Sequence, residues 1–269
     1  MKLDNVIIMT DLDGTLLTDD KKITEKDMNA INRFRSSGGI FTLATGRSYS
    51  MAKPVAERSG LDVPAVIFNG SAVYDFKEDK FLWHSSLNTY ARTVVKELIK
   101  EFPDIAIEVL CEDKTYVPSM NQIERAHLAL ESVPPILCSV DEIESDDWLK
   151  ILIAYPPERI QKIIDYINAR PDYLDCGHWV RSEKHYYELL PDGVNKGSGF
   201  GQLLRIMNRE DAFTVGIGDY NNDLELIQLA KLGVAVGSAL QEVKDAADLV
   251  VCDNNSGAMA EVIEYIERL

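Results

Sequence analysis

Two short acidic segments carry the residues best suited to chemistry. Asp11-Leu12-Asp13-Gly14-Thr15 follows the apolar, β-branched run Val6–Thr10, and Gly218-Asp219-Tyr220-Asn221-Asn222-Asp223 follows a second such run, Phe213–Ile217. Residues two apart in an extended segment project to the same side, so Asp11 and Asp13 can share one pocket. Carboxylates that close repel one another, and a cation or a proton must sit between them. Taken alone, the first segment has a lesser alternative as a metal-free Asx-rich turn, and the second reads equally as a helix N-cap. Together they form an oxygen-rich, thiol-free set of the kind that suits Mg2+. Thr45-Gly46-Arg47, at the end of the run Ile40–Ala44, offers a hydroxyl and backbone amides at a helix start, an arrangement that binds anions. Lys196, in Asn195-Lys196-Gly197, opens a further helix. Phosphate is the ligand that uses all four segments. Mg2+ and Lys196 would neutralise it, while Thr45, Asn222 and backbone amides would orient it.

The elements that position these loops are legible in the periodicity. Thr24 can cap a helix with Asp27 at its N3 position, and Ala30, Ile31 and Phe34 recur at helical spacing until Gly38-Gly39. Strands at 6–10, 40–44 and 65–68 alternate with helices, and the rhythm returns from residue 197 to the end. That alternation predicts a parallel sheet covered on both faces. Open sheets of this kind bind ligands at the carboxyl ends of their strands, where the acidic segments fall. The middle of the chain differs. It has hairpin-like pairs at 72–75 with 80–84 and at 179–181 with 186–190, with strand–helix units between them. The expected organisation is a Rossmann-like parallel-sheet core from residues 1–82 and 191–269, with an inserted α+β cap at 83–190.

Composition narrows the partners. The chain has 269 residues, with 28 basic against 44 acidic side chains and a net charge of −16. Such a field opposes nucleic acid and anionic membranes, so neither is expected as a partner, and an anionic substrate must be drawn in by local positive charge or a metal. No stretch approaches the ~18 apolar residues of a membrane span, and the short run before Asp11 makes no secretory signal, so the chain is expected in the cytoplasm. Cys111, Cys138, Cys176 and Cys252 are scattered without C-x-x-C spacing, which implies neither a zinc site nor a disulfide framework. His84, His127, His178 and His185 have no partner at ligand spacing. Nothing in the sequence assigns an oligomeric state.

Asp11-Leu12-Asp13-Gly14-Thr15-Leu16, Ala44-Thr45-Gly46-Arg47, Asn195-Lys196-Gly197 and Gly218-Asp219…Asn222-Asp223 resemble the four ordered motifs of the haloacid dehalogenase superfamily. Phe68-Asn69-Gly70 and Gly233-Val234-Ala235-Val236-Gly237-Ser238-Ala239 resemble its Cof-type hydrolases, whose type IIB cap is inserted between the second and third motifs. Leu226 and Ser238 depart from residues common in that subgroup, away from the chemistry.

The resemblance implies a phosphatase that hydrolyses small phosphate monoesters, sugar phosphates foremost, through an aspartyl-phosphate. Asp11 would be the nucleophile and Asp13 the general acid and then the base. Asp11, the backbone carbonyl of Asp13, and Asp219 would hold Mg2+, with Asp223 behind them. Backbone amides of Leu12 and Gly46, with Thr45, Lys196 and Asn222, would grip the phosphoryl oxygens. Arg47 and Arg181 are candidates for contacting the leaving group, the second being equally a surface strand residue. The alternatives are a phosphomutase, a flavin mononucleotide or pyridoxal phosphate phosphatase, and, outside enzymes, a phosphate- or Mg2+-binding module or a phospho-acceptor. Asp13 argues against the last, because a signalling phosphate must persist.

Overall fold

In the computed structural model the described residues are 3–112, 114–129 and 134–269. The strands in chain order are β1 (Val6–Thr10), β2 (Ile40–Leu43), β3 (Ala65–Ile67), β4 (Ala72–Asp75) and β5 (Lys80–His84), followed by β6 (Ala106–Leu110), β7 (Thr115–Ser119), β8 (Ile136–Leu137), β9 (Lys150–Ala154), β10 (His178–Arg181) and β11 (Tyr186–Leu190), and then β12 (Phe213–Gly218), β13 (Leu232–Ala235) and β14 (Leu249–Val250). The chain divides into two compact units, residues 1–47, 52–83 and 195–269 in one, and 48–51 and 84–194 in the other.

The first unit is built on a parallel sheet in the order β14-β13-β12-β1-β2. β1, flanked by β12 and β2, is buried throughout, as the run VIIMT requires. Alternate residues serve opposite faces. Val6 and Ile8 pack with Ala30, Ile31 and Phe34 of the helix Glu25–Ser36 and with Val262, Ile263 and Ile266 of the helix Ala258–Arg268. Ile7 and Met9 pack with Phe200 and Leu203 of the helix Lys196–Ile206 and with Leu226. Each of these Val, Ile, Leu, Met and Phe side chains, fully removed from water, stabilises the unit by ~1.5–3 kcal/mol. Thr24 caps its helix as the sequence predicts, accepting from Asp27 N–H at 3.0 Å.

One strand departs from expectation. β3 touches the parallel sheet through a single bridge, Ala44 to Val66, and otherwise belongs to an antiparallel sheet in the order β3-β4-β5. The connection from β3 to β4, residues 68–71, is too short for a parallel crossover, so the chain doubles back.

The second unit holds the six-stranded sheet β10-β11-β9-β6-β7-β8. Ile107, Val109, Ile151, Ile153, Tyr187 and Leu189 form its apolar face, covered by helices Ala91–Glu101 and Ile160–Asn168. The alternate residues of the same strands make a polar face, with Glu108 and Glu188 flanking Leu152 in register and Lys150 Nζ 3.0 Å from Glu188 Oε2. The unit continues to Val194, four residues beyond the expected boundary at 190, because Val194 packs with Val180 and Leu190 of its own strands. Among the described residues, no helix is long and apolar enough to cross a membrane.

Candidate active site

Asp11 is placed by the sheet itself. Its N–H donates to Ile217 O at 2.9 Å, extending the β1–β12 ladder one residue past the strand. Asp219 follows β12 directly, so the two carboxylates emerge side by side from adjacent strand ends. Asp11, Asp219 and Asp223 each offer a carboxylate oxygen within 4.8 Å of the others.

Lys196 enters this cluster from the first position of its helix, whose start is fixed by Asn195 accepting from Ser198 N–H at 2.8 Å. The residue is 1% exposed, and its Nζ donates to Asp11 Oδ1 at 2.6 Å and Asp223 Oδ1 at 2.5 Å. Asp223 Oδ2 accepts from the N–H groups of Asp219 and Tyr220 at 3.0 and 3.2 Å, so both its oxygens are engaged. Thr15 donates its hydroxyl to Asp219 Oδ1 at 2.8 Å. The Oδ2 atoms of Asp11 and Asp219 are therefore the ones left for a cation.

The electrostatics of the cluster follow from burial and crowding. Burial drives the Asp11 pKa well above the usual carboxylate range; Lys196 opposes this, and Asp223 and Asp219 add to it. Burial and Asp223 push Asp219 up to about 7. Burial disfavours the Lys196 ammonium, but Asp11 and Asp223 together outweigh it and raise its pKa. Three carboxylates against one ammonium leave an excess of negative charge, and every donor is oxygen. That set fits a hard divalent cation such as Mg2+.

Asp13 lies apart from this carboxylate group. Arg47 holds it in a bidentate pair, Nε to Oδ2 at 2.7 Å and Nη2 to Oδ1 at 2.8 Å, and Lys21 Nζ reaches Oδ1 at 2.7 Å. Burial raises the Asp13 pKa, yet Arg47 and Lys21 outweigh it and bring it down to about 2. Arg47, which the sequence suggested for the leaving group, is thus engaged with Asp13. Lys21 is a contact that sequence reasoning missed, since a lysine in a polar loop carries no signal of its own. Arg181 belongs to the second unit, where it donates to the carbonyls of Glu183 and Lys184 at 3.3 and 3.1 Å as a turn-stabilising residue.

The remaining predicted residues converge. Thr45 is 1% exposed, donates its N–H to Val66 O at 3.0 Å and accepts from Arg47 N–H on its hydroxyl at 3.1 Å. Leu12 buries its side chain in the core, which leaves its backbone for the loop. Asn222 is 8% exposed and donates from Nδ2 to Asn69 Oδ1 at 3.0 Å. Gly46 lies against Asn69 as well, since a Cβ there would come within 2.9 Å of the Asn69 amide.

The sequence matches the family of haloacid dehalogenase-like hydrolases over residues 8–263. Among curated proteins it is 26% identical over 265 residues to the 5-amino-6-(5-phospho-D-ribitylamino)uracil phosphatase YitU of Bacillus subtilis, covering 96% of each chain. It is 22% identical over 269 residues to the pyridoxal phosphate phosphatase YbhA of Escherichia coli, covering 96% of this chain and 97% of that one. Among solved structures, the subclass IIB sugar phosphatase BT4131 superposes with a TM-score of 0.84 at 18% identity, covering 98% of this chain and 99% of that one.

Proposed function

Since the chain belongs to the haloacid dehalogenase-like hydrolases and is a phosphoric monoester hydrolase, we propose that it is a Mg2+-dependent enzyme acting on small phosphate monoesters, sugar phosphates foremost, through an aspartyl-phosphate on Asp11. The observation that carries this reading is the Lys196 ammonium bridging Asp11 and Asp223, with Asp219 beside them. It gathers the charged groups that would handle a phosphoryl group at the ends of the adjacent strands β1 and β12. The ribityl phosphate named for the Bacillus relative and the sugar phosphatase fold support the substrate class.

Asp11 and Asp219, with the Asp13 backbone carbonyl, would hold Mg2+, and Asp223 would orient Asp219 through its backbone amide. Bound there, the cation supplies charge neutralisation for the phosphoryl oxygens. A free oxygen of Asp11 attacks phosphorus while the bond to the leaving oxygen breaks, and the electron pair departs with that oxygen. Asp13 gives the leaving oxygen a proton, then takes one from the water that attacks the phospho-Asp11, releasing inorganic phosphate and restoring the carboxylate. Held ionised by Arg47 and Lys21, Asp13 stands ready for the second of these roles. To serve as the acid it must first take up a proton. Loss of the Arg47 contact would favour that, because burial by itself raises its pKa. Lys196, Thr45, Asn222 and the amides of Leu12 and Gly46 bind the phosphoryl oxygens in fixed positions, which is where most of the rate enhancement arises.

We assign the first unit to chemistry and the second, the cap, to choice of leaving group. A panel of phosphate monoesters assayed with Mg2+ and with EDTA tests the reading. Release of inorganic phosphate from sugar phosphates, lost in EDTA and restored by Mg2+, is the expected result. Transfer of the phosphoryl group to a second sugar hydroxyl without free phosphate would instead identify a mutase.

A further inference from the structure

The turn Phe68–Gly70 has a backbone that needs an explanation. Phe68 and Asn69 both hold left-handed dihedrals, φ 52° and 54°, and both are buried. A bulky aromatic in that region is strained, and such strain persists only where the surroundings over-determine it. Here the turn touches three of the segments assigned to phosphate. Asn69 N–H donates to Thr45 O at 3.0 Å, and the Asn69 amide lies against Gly46. Gly70 packs so closely on the start of the Lys196 helix that a Cβ would come within 2.0 Å of Asn195 O. Asn69 Oδ1 accepts from Asn222 Nδ2 at 3.0 Å, and this bond spans 153 residues of sequence.

An asparagine amide has two N–H donors. The bond to Asn69 occupies one and fixes the plane of the group, so the second donor has a set direction. Asn222 Oδ1 is buried without a hydrogen bond and calls for a donor such as water, so the second N–H is the atom of this amide that can meet a phosphoryl oxygen. We propose that Asn69 is a positioning residue that aims the Asn222 amide at the phosphoryl group, so that phosphate affinity depends on the Asn69–Asn222 bond. The inference rests on the phosphatase reading above and adds to it a residue with no contact to substrate.

The test is a double-mutant cycle read as inorganic phosphate binding to the full-length, Mg2+-loaded protein by titration calorimetry, with KM and kcat measured in parallel. Asn69→Gly removes the amide while tolerating the left-handed backbone. Alone it should weaken phosphate about 10-fold and raise KM more than it lowers kcat, while in an Asn222→Ala background it should change phosphate affinity less than ~2-fold. Equal losses in both backgrounds, or none in either, overturn the proposal. Should Asn69→Gly fail to fold, Asn69→Asp retains the acceptor and the tolerated backbone. Asn222→Ala must then cost the same factor on Asn69→Asp as on the wild type, and a smaller cost overturns the proposal. Wild-type protein that neither binds phosphate nor hydrolyses any monoester would overturn the phosphatase reading as well, whereas additive variants on an active wild type reject Asn69 alone.

Discussion

The guanidinium of Arg47 grips the Asp13 carboxylate through two parallel hydrogen bonds of 2.7 and 2.8 Å, across 34 residues of sequence. Bidentate pairs of this kind are stronger and more directional than a lysine contact. With Lys21 on the same carboxylate, the pair brings the Asp13 pKa down to about 2 against the pull of burial. In Arg47→Met the same carboxyl should titrate at least ~1 unit higher, with only Lys21 opposing burial. Carbon-13 NMR of aspartate-labelled protein in EDTA measures this directly. An unshifted Asp13 resonance would show that Lys21 alone sustains the ionised form.

Asp11→Asn should abolish hydrolysis and leave the fold intact. Loss of the covalent route costs at least ~10³-fold in turnover, about 4 kcal/mol. Asp11 is one of three crowded carboxylates and burial disfavours its charge, so the melting temperature should stay at or above that of the wild type. Lys196 keeps its contact with Asp223. Turnover above a tenth of wild type excludes Asp11 as nucleophile.

Removing the ammonium has the opposite effect on stability. In Lys196→Met, Asp11 and Asp223 lose the cation that bridges them in a buried site. Breaking a buried pair on one side costs ~3–5 kcal/mol. Chemical denaturation at pH 7.5 should show a loss of that order together with loss of phosphate binding. A variant as stable as the wild type would mean that the carboxylates simply take up protons.

The pH dependence of stability carries a definite sign. The Asp219 pKa is raised to about 7, and Asp11 is raised as well. A carboxyl whose folded pKa lies above its unfolded value of ~3.9 favours the fold most below that value, and the contribution is lost as pH rises through the folded pKa. The EDTA-treated protein should therefore lose stability between pH ~4 and ~7 from these groups. Mg2+ needs the ionised ligands, so its stabilising effect should grow over the same range. Thermal melts at pH 5 and pH 8, with Mg2+ or EDTA, test this. Equal Mg2+-induced shifts at the two pH values would refute a site made of Asp11 and Asp219.

Chemistry and selectivity should separate along the chain. Exchanging residues 84–194 for the corresponding unit of a relative should alter the preferred monoester by ~10-fold or more in kcat/KM, about 1.4 kcal/mol of differential transition-state binding. Mg2+ dependence and phosphorylation of Asp11 should survive the exchange. An unchanged substrate ranking in a chimera that circular dichroism shows to be folded would assign selectivity to the first unit.

Much of the site was readable without coordinates because its signals are local. The run Val6–Thr10 announces a buried strand, a polar loop must follow it, and two aspartates two residues apart in that loop share a side. The same logic finds Asp219 after β12, and Thr24 as the cap of its helix. The convergence of these loops follows from parallel strands, which place their carboxyl ends along one edge.

What periodicity and spacing could not decide is which side chain meets which. Lys196 reaches Asp11 across 185 residues and Asp223 across 27, and it does so because its helix packs on the sheet face lined by Ile7 and Met9. The sequence offered Arg47 only as a contact for the leaving group, and its bidentate pairing with Asp13 appears in the structure alone. β3 leaves the parallel sheet because its outgoing turn is short, and Val194 stays with the second unit because its apolar side chain finds Val180 and Leu190 there. The Asn69–Asn222 bond joins two loops that no pattern links. Secondary structure and loop chemistry are properties of a few neighbouring residues, and the sequence alone determined them here. Pairing across tens to hundreds of residues depends on how whole elements pack, and only the tertiary structure settled it.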